Sequence, residues 1–191
     1  LTAQWLVSRG ARHLLLAARG APSPEALSSV AQMELKGVSV RVCRADVSNA
    51  PQVAALIATT HDSAPLKGLF HLAVVTDDAL LVDTTPERFQ RVMSGKAAGA
   101  WNLYQATRHL DLDFAVFFSS IATAIAQPGQ GAYAAANALV DAIATFARER
   151  GYPALSIRWG PWVGGGLSSQ EGKQRSVSAY AAQGVRPMTP D

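Results

Sequence analysis

The stretch "GQGAYAAAN" (129–137) sets one tyrosine, Tyr133, and one asparagine, Asn137, among glycines and alanines. A tyrosine placed for core packing is ordinarily flanked by Leu, Ile or Val. Neighbours this small leave room for a ligand or for another backbone, although an alanine-rich helix laid tightly on a sheet would have the same composition. Four residues apart on a helix, Tyr133 and Asn137 share a face. Ser120 stands thirteen residues before Tyr133, at the end of the apolar run "FAVFFSS", and Lys96 lies in "VMSGKAAGAWNLY". The chemistry open to such groups is proton transfer. A free phenol, with pKa ~10, gives up its proton reluctantly at neutral pH, and a nearby lysine cation favours the phenolate.

Elements must bring these residues together, and their pattern is legible. Apolar runs recur at "HLLLAA" (13–18), "VSVRVCRA" (38–45), "LKGLFHLAVV" (66–75), "FAVFFSS" (114–120) and "ALSIRW" (154–159), and read as buried strands. Helical segments separate them at 23–36, 51–60, 86–108 and 131–150. Pro51 and Pro86 fall in first helical turns, where proline costs least. Strands alternating with helices predict a doubly wound α/β domain, a parallel sheet covered on both faces, with ligands at the carboxyl ends of the strands. On that rim fall Arg19 and Gly20, Asp46 and Val47, Asp77 and Asp78, Ser119 and Ser120, and Gly160 to Trp162. No strand-linked G-x-G-x-x-G occurs, and the "GGG" at 164–166 reads as a loop.

Bulk properties exclude several classes. The 191 residues suit one domain with a sizeable core, 49% are apolar, and the net charge is +3. Lys and Arg are scattered rather than gathered into a stripe, which argues against nucleic acid. The single cysteine, Cys43, excludes an internal disulfide framework and fits a reducing, cytoplasmic setting. No run approaches membrane-spanning length. The four histidines show no metal-ligand spacing, so no metal is expected, and His71 in "LFHLAVV" reads as a core or strand-end residue. "LTAQWLVSRG" reads as a helix already under way, with Leu1, Trp5, Leu6 and Ser8 expected to turn inward. Trp5 and Trp101 are expected to pack. The opening at Leu1 and the close at "MTPD" suggest an excerpt of a longer polypeptide.

The segments "RHLLLAARG", "ADVSN", "HLAVVTDDALL", "TPERF", "KAAGAWNL", "FFSSIA", "PGQGAYAAANA" and "IRWGPW" together resemble, essentially end to end, the short-chain dehydrogenase/reductase superfamily. Within it they resemble the ketoreductase domains of modular polyketide synthases. In ordinary superfamily members the lysine follows the tyrosine by four residues. Here Asn137 holds that place and Lys96 comes from upstream, the exchange that marks the ketoreductase branch.

The resemblance implies a Rossmann-like fold whose N-terminal strand and glycine-rich turn are absent from this chain. Residues 1–191 would form a catalytic subdomain, with a substrate lid at about 163–184. The implied reaction is NADPH-dependent reduction of a β-keto group to a β-hydroxyl. Its substrate would be an acyl chain held on the phosphopantetheine of an acyl carrier protein, and the partners a structural ketoreductase subdomain and other megasynthase domains. By resemblance Tyr133 is the proton donor and Ser120 hydrogen-bonds the substrate carbonyl. Lys96 supports Tyr133 and holds the nicotinamide ribose, and Asn137 keeps the proton-relay geometry. Arg19 would meet the 2′-phosphate of NADPH, where an NAD enzyme carries a carboxylate; otherwise it is a solvated loop arginine. Asp46 and Val47 would border the adenine, Asp46 serving otherwise as a turn or cap residue. Ala73, Gly160 and Pro161 complete the implied cofactor contacts.

Substrate and stereochemical control would fall to Asp78, Gln130 and Trp162. The resemblance links an "LDD" motif after the third strand to B-type, D-hydroxy products, and a tryptophan eight residues before the tyrosine to A-type products. This chain keeps Asp77 and Asp78, has Thr76 for the leucine, and has Ile125 in place of the tryptophan. Leu72 and Val74 replace small residues of the family's "HAAGVLDD", the glycine displaced by Val74 lying beside the cofactor. A non-catalytic ketoreductase-like scaffold is therefore the alternative to an active reductase. A free-standing dehydrogenase is disfavoured by the displaced lysine.

Overall fold

Local chemistry decides where the helices begin in the computed structural model, which describes residues 1–61, 64–125, 127–163 and 174–189. The side chains of Ser23, Asn49 and Thr85 accept hydrogen bonds from Ala26, Gln52 and Arg88 N–H, each with a proline in the first helical turn. The elements run α1 (Thr2–Ser8), β1 (His13–Ala18), α2 (Pro24–Glu34), β2 (Ser39–Arg44), α3 (Ala50–Ala58) and β3 (Gly68–His71). They continue with α4 (Pro86–Met93), a π-helical turn (Ser94–Ala98), α5 (Gly99–Thr107), β4 (Phe114–Ser120), α6 (Gly131–Arg148), β5 (Ala154–Trp159) and α7 (Gln174–Ala182). Most of the expected lid, including the "GGG" run, lies outside the described residues.

Every strand pairing is parallel, in two ladders, β1–β2 and β3–β4–β5. This is the expected doubly wound α/β fold. Among the described residues no strand precedes β1, so the order 3-2-1-4-5-6 of such sheets lacks its innermost member here. The alanine-rich α6 lies on β4 and β5. Its Val140, Ile143, Ala144 and Ala147 are buried against Ala115, Phe117 and Ala154. Phe117 is fully buried, a contribution of roughly 2–3 kcal/mol.

Three expectations change. The strand expected over 66–75 ends at His71, because β3 is paired only through Phe117 of β4; beyond it the chain peels away and Leu72 is exposed. The helix expected over 86–108 is interrupted by the π-helical turn. In α1, Leu1, Trp5 and Ser8 face outward, while Val7 and Ala3, one turn apart, meet Met33 and Val38. Trp5 has only Arg9 over its ring, and Trp101 packs at the surface against Tyr104 and Phe146.

No helix among the described residues is long and apolar enough to cross a membrane.

Candidate active site

Lys96 sits in the middle of the π-helical turn, a distortion that often accompanies function. Two glycines let this turn approach its neighbours. A Cβ on Gly95 would lie 3.3 Å from Val75 Cγ2, and one on Gly99 would lie 2.7 Å from Val47 Cγ2 and 3.0 Å from His71 Cε1. The close approach buries Lys96, which is 3% exposed. Burial pulls its pKa from 10.5 down to about 8, while the charge of Asp141 acts in the opposite direction. Lys96 Nζ stands 5.9 Å from the centre of the Tyr133 ring.

His71 holds the turn from beneath. Its Nε2–H donates to Lys96 O at 2.8 Å, the carbonyl being able only to accept. Burial lowers the His71 pKa to about 4, so the ring is neutral and structural, as the sequence indicates. An unfolded histidine binds its proton near pH 6.5, whereas the folded one resists it until about 4. Stability from this site is therefore complete above pH 6.5 and is lost as pH falls towards 4. The expected loss at pH 5 is roughly 2 kcal/mol. Urea midpoints at pH 7 and pH 5 should differ accordingly, and His71→Gln should remove that part of the slope; an unchanged slope would overturn the assignment.

Tyr133 and Asn137 occupy the first two turns of α6. Asn137 is fully buried; its Nδ2–H donates to Tyr133 O at 2.8 Å, and its Oδ1 has no partner among the described residues. The small neighbours of Tyr133 serve helix packing. Ala132 and Ala136 pack against Val92, while Tyr133 remains half-buried beside Lys96. At the end of β4 two serines part company. Ser119 Oγ–H donates to Asn137 O at 3.4 Å, spending its proton on α6. Ser120 Oγ accepts from Ala122 N–H at 3.2 Å, leaving its own proton to donate. Tyr133 thus lies beside Lys96 and is tied to Asn137, while Ser120 ends β4 next to the serine that binds Asn137 O.

A second set of contacts ties the loops beside α6. Ala79 N–H donates to Gly129 O at 2.9 Å, joining the loop after β3 to the loop before α6. Gly129 has φ +85°, a left-handed conformation that favours glycine. Gln130 is buried and accepts from Tyr180 Oη–H at 3.3 Å, so α7 closes on this corner. Burial raises the Tyr180 pKa, with Tyr133 and Asp78 adding to the effect. Asp77 pairs with Arg88, through Nε at 3.0 Å, and with Arg91, at 3.1 Å. Asp78 is exposed.

Beyond β5, Gly160, Pro161 and Trp162 are fastened to Met188. Met188 N–H donates to Pro161 O, Val163 N–H donates to Met188 O, and the Trp162 ring lies 5.3 Å from that of Trp159. Trp159 Nε1 is buried without a partner among the described residues.

Arg19 and Asp46 form a separate group at the ends of β1 and β2. Asp46 Oδ1 accepts from Ser48 N–H and Oγ–H, which holds its carboxyl below the usual range, with a smaller effect from Arg19. Asp46 is thus a turn residue whatever else it contacts. Val47 turns its side chain inward against Gly99, and its carbonyl accepts from Asn102 Nδ2–H. Ala73 is half-buried just past β3.

Sequence reasoning missed Tyr180 and Asp141. Asp141 lies one turn beyond Asn137 and binds Ser156 Oγ–H and Arg158 Nε–H, tying α6 to β5. The four-residue spacing of Tyr133, Asn137 and Asp141 was a readable signal. Tyr180 offered none, since its contact with Gln130 spans fifty residues. Among the described residues no group of three His, Cys, Asp or Glu could hold a metal.

Residues 1–164 match the KR domain family. The chain is 35% identical, over its whole length, to a phenolphthiocerol synthesis polyketide synthase (type I, Pks15/1) of Mycobacterium marinum, covering 9% of that protein. It is 42% identical over 87% of its length to the spectinabilin polyketide synthase system protein NorB of Streptomyces orinoci, covering 8% of it. The chain therefore spans less than a tenth of these relatives. A solved structure described as an A-type ketoreductase from a modular polyketide synthase superposes with a TM-score of 0.91 at 38% identity, over 99% of this chain and 40% of that one.

Proposed function

Because this chain belongs to the KR domain family, the ketoreductases of polyketide synthases, we propose that it reduces the β-keto group of an acyl chain carried by an acyl carrier protein. The cofactor is NADPH, and the product is the D-configured β-hydroxyl. The observation that supports this reading is the buried Lys96, 5.9 Å from the Tyr133 ring, on the helix turn that Asn137 holds through Tyr133 O.

The residues present fit a nicotinamide dinucleotide. Arg19 supplies a cation at the end of β1, Lys96 a buried ammonium, and Asn137 Oδ1 a buried acceptor without a partner. NADPH, when bound, supplies the hydride that the side chains lack. Lys96 and Tyr133 would hold its ribose, with Ala73, Gly160 and Pro161 bordering the nicotinamide end and Asp46 and Val47 the adenine. The protein's own work is with the proton. Ser120 Oγ–H donates to the carbonyl oxygen as negative charge develops there. Tyr133 Oη–H gives the proton to that oxygen, and the Lys96 charge favours the phenolate left behind. Asn137 fixes the first turn of α6 through Tyr133 O and offers Oδ1 to a water returning the proton.

The stereochemical reading places Asp78, Gln130 and Trp162 around the substrate. Asp77 is committed to Arg88 and Arg91, and position 125 is Ile125, where the A type would carry tryptophan. The test is turnover of a simple β-ketoacyl thioester by the full-length protein with NADPH, followed by chiral chromatography. The (3R) product is expected. A predominantly L-hydroxy product would reduce Asp78 to a loop carboxylate, and no turnover with intact NADPH binding would favour the non-catalytic scaffold.

A further inference from the structure

The rim that carries Arg19 carries a second arginine. Arg44 is the last residue of β2, in register with Ala18, the last residue of β1. Its Nε–H donates to Arg19 O at 2.9 Å, which folds the guanidinium back across the strand ends and fixes it against the backbone of Arg19. One of its five N–H groups is used in this way. The terminal nitrogens make no hydrogen bond among the described residues, and no carboxylate lies within ion-pair distance of Arg44 or Arg19. The nearby acid, Asp46, is already engaged by Ser48. A Cβ on the next residue, Gly20, would meet nothing within 4 Å. The Arg44 guanidinium is therefore anchored at the backbone of Arg19, beside the open space at Gly20, with its terminal donors unspent among the described residues.

Two arginines carried at adjoining strand ends favour an anion near that rim. A planar guanidinium pinned at one nitrogen presents its remaining donors in a fixed fork, the geometry that suits a phosphate. We propose that Arg44 is a second binding residue for the 2′-phosphate of the dinucleotide, gripping it together with Arg19 and setting the preference for NADPH over NADH. This rests on the NADPH reading above and makes that preference depend on β2 as well as on β1.

The experiment compares NADPH and NADH binding, by fluorescence, in the full-length protein and its Arg44→Ala, Arg44→Lys and Arg19→Ala variants. Arg44→Ala should weaken NADPH binding roughly 10- to 100-fold, the loss of a charged hydrogen-bonding partner, and leave NADH binding within about twofold by the same reasoning. Arg44→Lys should recover part of the loss. Equal weakening of both cofactors would mean that Arg44 only braces the Arg19 turn, and would overturn the proposal. So would an undiminished NADPH preference in Arg44→Ala, which leaves the NADPH reading standing if the wild type and Arg19→Ala differ. A wild-type protein that binds both cofactors equally would overturn both.

Discussion

Tyr133→Phe should lower the reduction of a β-ketoacyl thioester by roughly 10²- to 10⁴-fold, the range for loss of a positioned general acid. The substitution removes one oxygen from a half-buried ring and leaves its neighbours in place: Tyr133 contributes only its backbone carbonyl to Asn137, and the ring keeps its place beside Val92 and Lys96. Circular dichroism and the thermal midpoint should therefore be nearly unchanged. Tyr180 is a second phenol at the same corner, but its hydroxyl is directed to Gln130. If the variant kept more than about a tenth of the activity, a loss below ~1.4 kcal/mol, another group would be the donor.

Lys96→Met should separate activity from stability in opposite directions. The ammonium is buried at a cost, since its pKa falls from 10.5 to about 8, chiefly through burial. That difference corresponds to roughly 3 kcal/mol spent on holding the charge in the folded state at pH 7. Methionine has a similar length and no charge. The variant should be more stable by up to that amount, less about 0.5–1 kcal/mol for the lost contact with the Tyr133 ring. The gain should be full below pH 8 and shrink between pH 8 and 10.5, because the folded lysine sheds its proton before the unfolded one does. Turnover should fall by roughly 10²-fold or more as the phenolate loses its cation. Urea denaturation from pH 7 to 10 reads the first effect and thioester reduction the second. A variant less stable than wild type at pH 7 would show that the ammonium is fully compensated in the fold.

Much of this fold is written locally. Apolar runs such as "FAVFFSS" and "ALSIRW" became strands at the predicted residues, and Ser23, Asn49 and Thr85 set helix starts by their own side chains. The placing of Ser120 at a strand end and of Tyr133 and Asn137 on one helix face was equally legible. What the sequence hid depends on partners far along the chain. The π-helical turn follows from the close approach of Gly95 and Gly99 to Val75, Val47 and His71. The division between Asp77 and Asp78 follows from Arg88 and Arg91, residues of α4 that no motif ties to that loop. The outward turn of Trp5 follows from the position of Met33 and Val38, which a ten-residue window does not contain.

The division of the sheet has a consequence for how the protein behaves in concentrated solution. Among the described residues β1 is paired on one side by β2, and β3 on one side by β4. Their other edges present amide and carbonyl groups without ladder partners, flanked by half-buried Leu14, Leu15 and Leu16 and by an exposed Val42. An extended apolar segment from another molecule could dock there by the same parallel pairing that builds the domain. The side chains along β1 are uncharged from Leu14 to Ala18, so little repels such a segment. Whatever covers those two edges therefore also shields the apolar face of β1 from other molecules.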